Sequence, residues 1–198
     1  MKSTGLRMIT SLTCAAIVFA LTLDADAQRK KSKPDASPAA SVTQVLGINS
    51  HVTITYHRPG VKGREGKIYN SSIVPYGGTP MPWRAGANEN TIIEFEHNVK
   101  IEGEDLAAGA YGFHIIPSDG EWTLVFSKNV KGWGSFGYKA EDDALRVNVS
   151  PGDSAHQEWL VFTFEDLSAE SATAVLRWES KKVGFKIELN DPSALSAD

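Results

Sequence analysis

The tightest constraint on this chain is an apolar–polar alternation of period two that recurs from residue 51 to residue 189. In an extended backbone successive side chains point to opposite faces, so such alternation marks strands with one buried face. His51-Val52-Thr53-Ile54-Thr55-Tyr56-His57 places Val52, Ile54 and Tyr56 on one face and polar residues on the other. Val183, Phe185, Ile187 and Leu189 repeat the pattern against Lys182, Lys186 and Glu188. Between them lie Thr91 to Glu96, Val99 to Ile101, Ala110 to Ile116 and Trp122 to Phe126. The rows Leu145/Val147/Val149, Leu160/Phe162/Phe164 and Ala174/Leu176/Trp178 complete the set. Arg58-Pro59-Gly60 closes the first run, and Ser118-Asp119-Gly120 predicts a hairpin joining the runs on either side. No stretch carries a helical period. The expectation is an all-β, antiparallel, sandwich or jelly-roll-like single domain of about nine strands.

The ends of the chain follow other rules. A short basic start, Met1 to Arg7, precedes an apolar run from Met8 to Leu23 and then Ala25-Asp26-Ala27. That order is the layout of a secretory signal, with cleavage expected after Ala27. The competing reading is an uncleaved anchor, for which the run is short against the ~20 residues a spanning helix needs. Cys14, the only cysteine, lies inside this run, with Ser11-Leu12-Thr13 before it and apolar residues continuing beyond it. The remaining chain would therefore carry no disulfide, which points to a bacterial envelope compartment, periplasmic or extracellular. Residues 28–41 are basic and then rich in Pro, Ala and Ser, the composition of a flexible linker. The domain is expected over 42–190, with a frayed tail at 191–198.

Charge narrows the partners. The net formal charge is −4, and removing residues 1–27 takes away Lys2 and Arg7 together with Asp24 and Asp26, leaving it unchanged. Mild acidity argues against a nucleic-acid binder. No stable membrane span is expected after signal cleavage. No motif implies a cofactor, and none of the five histidines has a common zinc spacing. His51 and His57 share a face but stand about 20 Å apart along one strand. A centre assembled by folding from His57, His97, His114 and a carboxylate stays open, although no metal ligand is assigned. No Gly-x-Ser-x-Gly elbow and no phosphate loop occurs.

Three places could carry chemistry. The first is Pro82 to Thr91, where Arg84, Asn88 and Glu89 lead into a strand while Arg58, Lys62 and Arg64 follow the end of another. Guanidinium groups there could hold a carboxylate, a phosphate or sugar hydroxyls; alternatively, Arg84 and Glu89 form an ion pair that braces the loop. The second is His114, beside Gly112, a general-base candidate or a half-buried histidine held by a neighbouring strand. The third is Gly132-Trp133-Gly134-Ser135-Phe136-Gly137-Tyr138, whose rings could form a stacking platform or anchor a long loop from beneath.

Several segments together resemble the bacterial family of exported domains called DUF2911. They include Tyr56-His57-Arg58-Pro59, Val74-Pro75-Tyr76-Gly77, Trp83-Arg84-x-Gly86-Ala87-Asn88-Glu89, Trp122-Thr123-x-x-Phe126-Ser127-Lys128 and Leu176-Arg177-Trp178-Glu179. The resemblance spans about Val42 to Leu189. It implies an all-β secreted domain and no established activity. Gly78-Thr79-Pro80-Met81-Pro82 is an extra segment relative to that pattern and lengthens the loop before Trp83.

Three functions follow as expectations. The leading one is a binding module for a polar small molecule or glycan, with Arg58, Arg84, Asn88, Glu89 and Trp133 as its contacts. The second is a hydrolase using Glu89 and His114 as acid and base. The third is a structural or accessory envelope protein without a small-molecule site.

Overall fold

The computed structural model describes residues 35–190. The expected signal, most of the linker and the tail lie outside the described residues. The strands are β1 (Ala39–Leu46), β2 (Ser50–His57), β3 (Thr91–Phe95), β4 (Val99–Ile101) and β5 (Glu104–Leu106). They continue as β6 (Gly109–Ile116), β7 (Trp122–Ser127), β8 (Asp143–Val149), β9 (Gly152–Glu165) and β10 (Ser171–Leu189). One sheet has the order β1-β2-β3-β6-β7-β8 and the other β5-β4-β10-β9, with antiparallel neighbours throughout. The domain is an antiparallel β-sandwich. No described helix is long and apolar enough to cross a membrane.

The count of ten rather than about nine has local causes. β1 begins at Ala39, three residues before the expected domain start, because Ala, Ser and Thr at a sheet edge carry little apolar signal. It nevertheless pairs with β2 from Ala39↔His57 to Leu46↔Ser50. In the sequence Glu102-Gly103-Glu104-Asp105 reads as a turn, with no strand at β5. Instead Glu102 (φ 51°) and Gly103 (φ 89°) form a tight two-residue connection between β4 and β5. In the opposite sense, the rows ending at Trp178 and starting at Val183 belong to one strand of 19 residues. Apolar residues occupy even positions before Trp178 and odd positions after Val183. Register shifts around Glu179 (φ 55°) reverse the phase there.

The core lies between the sheets. Phe113 and Phe126 of the first sheet meet Phe185 of the second, with ring centroids 5.5 and 5.7 Å away. Tyr56 crosses the gap too: its ring packs edge-on against Phe162 at 4.9 Å, and its hydroxyl accepts the Phe162 backbone N–H at 3.1 Å. Trp122 and Trp178 are fully buried in it.

Two connections position the candidate site. After β2, the backbone at Pro59 to Val61 lies along β9 and accepts from Leu160 N–H and donates to Glu158 C=O. The same connection then reaches Trp83, whose N–H and C=O pair with C=O and N–H of Ile115, each at 2.8 Å. Ile115 pairs with β7 on its other side, so Trp83 continues the lateral position of β3 beyond the point where β3 begins. The second connection, residues 128–142, folds over the outward face of β6. There the Asn129 carbonyl oxygen lies 2.5 Å from where a Cβ on Gly112 would sit. Gly112 thus marks the close approach of another backbone.

Candidate functional site

The turn from Trp83 to Asn88 is wound tightly. Ala85 (φ 50°) and Asn88 (φ 57°) are both left-handed, a conformation Asn adopts readily and Ala seldom. The Ala85 carbonyl accepts the Thr91 hydroxyl at 3.1 Å, and the Gly86 carbonyl accepts the Trp83 indole N–H at 3.3 Å. A side chain on Gly86 would come within 2.9 Å of Thr91 Oγ1 and 3.0 Å of the His57 carbonyl. These contacts turn Arg84 away from the core and toward the second loop.

Arg84 meets that loop at two points. Its guanidinium lies 5.4 Å from the centre of the Trp133 indole, and Nη1 packs against the backbone of Gly134. Gly134 has φ 69°, a conformation that suits glycine. Trp133 stacks in turn on Phe136, with centroids 5.9 Å apart and planes 6° from parallel. Trp133 is 58% exposed and Phe136 70%. Of the two readings of this loop, the surface platform describes Trp133 and Phe136. The anchor describes Tyr138, whose hydroxyl donates to Asp143 and accepts from Arg146 beneath the loop.

The expected brace between Arg84 and Glu89 does not form. The Glu89 carboxylate lies 3.4 Å from His57 Nδ1, and Arg84 makes no salt bridge among the described residues. Its Nε–H is buried and has no hydrogen-bond partner there. Burial alone draws the Arg84 pKa below its ordinary value. The physical reason is separation by the turn: Asn88 in the left-handed region redirects the chain, and Glu89 pairs in a bridge with the Trp133 backbone.

The other expected contacts divide. Asn88 donates to the Asp35 carboxylate at 3.2 Å, at the rim of the domain. Arg58 donates from Nε to the Leu160 carbonyl at 2.8 Å, a bond that ties β2's end to β9. His114 is buried, and its Nδ1 lies 3.0 Å from Ser135 Oγ. Burial lowers its pKa to about 4, with nearby Asp143 opposing the shift. Glu89 and His114 therefore have separate partners, His57 for one and Ser135 for the other. His57, His97 and His114 form no group of converging donors with one another or with a carboxylate among the described residues. The described residues hold one group with converging metal-type donors, Glu65, His156 and Glu158 on the surface, where Lys62 N–H already donates to Glu158.

A cleft of about 420 Å³ opens beside Arg84, within the usual size range of small-molecule sites. Pro75, Pro80, Met81 and Trp83 supply apolar wall, Phe136 and Ser135 come from the second loop, and Arg64 adds another guanidinium. Pro80, Met81 and Pro82 belong to the extra segment noted in the sequence, so this lengthening builds part of the wall. Trp178 contributes to the floor and stacks on Trp83 at 5.9 Å, and its buried indole N–H has no partner among the described residues. Arg64, Ser135, Phe136 and Trp178 were not among the expected contacts. Arg64 and Phe136 lay in segments flagged for charge and rings, whereas nothing local distinguishes Ser135 or Trp178.

The fold and cleft define a small all-β sandwich domain with an arginine- and aromatic-lined side pocket. The chain belongs to the DUF2911 family, described as a protein of unknown function, whose family model matches residues 37–187. No curated protein and no solved structure matched the chain.

Proposed function

We propose that this protein is an exported binding module of the bacterial envelope, periplasmic or extracellular, that holds a small polar ligand in the cleft beside Arg84. The observation that carries this reading is the unpaired state of Arg84. A half-buried guanidinium loses hydration, and a buried donor without an acceptor costs about 1–3 kcal/mol. The indole of Trp133 returns only about 0.5–2 kcal/mol of cation–π attraction. A ligand that accepts from the outer Nη groups of Arg84 offsets the lost hydration of the guanidinium, and that gain favours binding. The tight turn at Ala85 supports the same reading, because strained backbone conformations cluster where a side chain must be held in place for a ligand. The signal-like start of the chain supports export.

The test is a thermal-shift screen of the purified domain against small anions, organic acids and oligosaccharides, followed by calorimetric titration of hits. At least one compound is expected to raise the melting temperature of wild type and to lose tenfold or more in affinity with Arg84→Ala. The reading is wrong if nothing in the screen stabilises wild type, or if Arg84→Ala responds equally.

A further inference from the structure

We infer that the cleft is built for an organic carboxylate with an apolar body, rather than for a neutral sugar. This rests on the binding function proposed above and names its ligand class.

The inference comes from the sign of the hydrogen-bonding groups around the cleft. A sugar hydroxyl both donates and accepts, so a site that grips several hydroxyls needs side-chain acceptors, which carboxylates and amides supply. No Asp, Glu, Asn or Gln lines this cleft. Its charged groups are Arg64 and Arg84, and guanidinium and indole N–H groups donate only. Arg64 spends Nε on the Val61 carbonyl and Nη2 on the Gly60 carbonyl, at 2.9 and 2.6 Å, so its plane is held by backbone. Arg84 Nε–H and Trp178 Nε1–H, in residues of the same lining, lack acceptors as well, although both atoms are closed off from solvent. Among the serines, Ser135 is already engaged with His114, which leaves the Ser37 and Ser72 hydroxyls as the side-chain acceptors of the lining. A ligand here must bring acceptors and few donors, which describes a carboxylate.

The rest of the lining specifies the body. Pro75, Pro80, Met81, Trp83 and Phe136 present rings and a thioether. Prolines and aromatics lose little side-chain entropy on contact, and they favour a flat apolar surface over a hydrated one. An inorganic anion would satisfy Arg84 and leave these walls wet. A carboxylate joined to an aromatic or alicyclic ring fills both demands, with the guanidinium fork donating to its two oxygens.

The experiment compares matched pairs on wild-type protein by calorimetry. The probes are phenylacetate and indole-3-acetate, their primary amides, inorganic phosphate, and cellobiose. Both acids are expected to bind at least tenfold more tightly than their amides and than phosphate, with cellobiose giving no heat. Arg84→Gln should bring acid and amide to within about threefold of each other, and circular dichroism would check that this variant is folded. If cellobiose or phosphate binds more tightly than the acids, the carboxylate assignment is overturned while the binding reading stands. Equal affinity of acid and amide on wild type overturns it as well, with no variant needed. If none of the probes binds, and the wider screen also fails, both readings fall.

Discussion

Arg84 Nη1 occupies the space that a side chain on Gly134 would need: a Cβ placed there would lie 2.5 Å from it. The two residues are far apart in sequence and come from different loops. Their contact seats the guanidinium of a cleft residue against the second loop.

Gly134→Ala should therefore be costly in two ways, through the positive φ and through the guanidinium. Gly63 (φ 72°) has nothing within 4 Å of its Cβ position, so Gly63→Ala carries the backbone cost alone. The expected loss for Gly134→Ala is about 1–2 kcal/mol, or roughly 2–8 °C in melting temperature. Gly63→Ala should lose less and leave ligand affinity unchanged. Equal effects of the two on binding would show that Gly134 does not position Arg84.

Arg84 and Glu89 should behave as independent residues. Glu89→Ala removes only an exposed contact with His57 and is expected to change stability by less than about 0.5 kcal/mol. In a double-mutant cycle with Arg84→Ala the coupling should stay within about 0.5 kcal/mol. A coupling well above that would restore the loop-bracing ion pair.

His114 makes stability depend on pH in a defined direction. Its folded pKa is about 4, below the ordinary 6.5, so between these values the unfolded chain takes up a proton that the folded chain refuses. Above pH 6.5 the residue has no effect. As pH falls from 6.5 to about 4 it withdraws stability, by as much as about 3 kcal/mol, and then levels off. His51 works in the opposite sense, because its hydrogen bond to Glu96 raises its pKa. The comparison to make is wild type against His114→Gln in urea titrations across pH 4–7. The variant should lose less stability on acidification, and parallel curves would contradict the buried neutral histidine.

Tyr56 tests how the sheets are tied together. Tyr56→Phe keeps the ring against Phe162 and leaves the Phe162 backbone N–H without its acceptor. The expected cost is about 1–2 kcal/mol with an unchanged fold by circular dichroism. Stability within experimental error of wild type would mean the bond contributes nothing net.

Much of the architecture was legible in residue order. Val52, Ile54 and Tyr56 are buried as their alternation requires, and Thr53 and Thr55 face outward. Even the irregularity at Glu179 in β10 left a trace, since the apolar phase changes between Trp178 and Val183. β1 left little, because its first residues, Ala39-Ala40-Ser41, do not differ in composition from a linker and Val42, Val45 and Leu46 keep no strict alternation. The glycine-rich loop was recognisable as a place for exposed rings. Which ring would be exposed and which would anchor was not, because Trp133 and Tyr138 have similar local surroundings.

By itself, then, the sequence determined the all-β class, the inward face of most strands and the segments worth examining. These depend on the two-residue period of extended backbone, which is a local property. Only the tertiary structure decided that Arg84 would meet Trp133 and Gly134 instead of Glu89, and that Arg64 and Trp178 would share its cleft. Those neighbours are brought together by sheet order and loop paths, and a local period carries no information about which distant segments come to lie side by side.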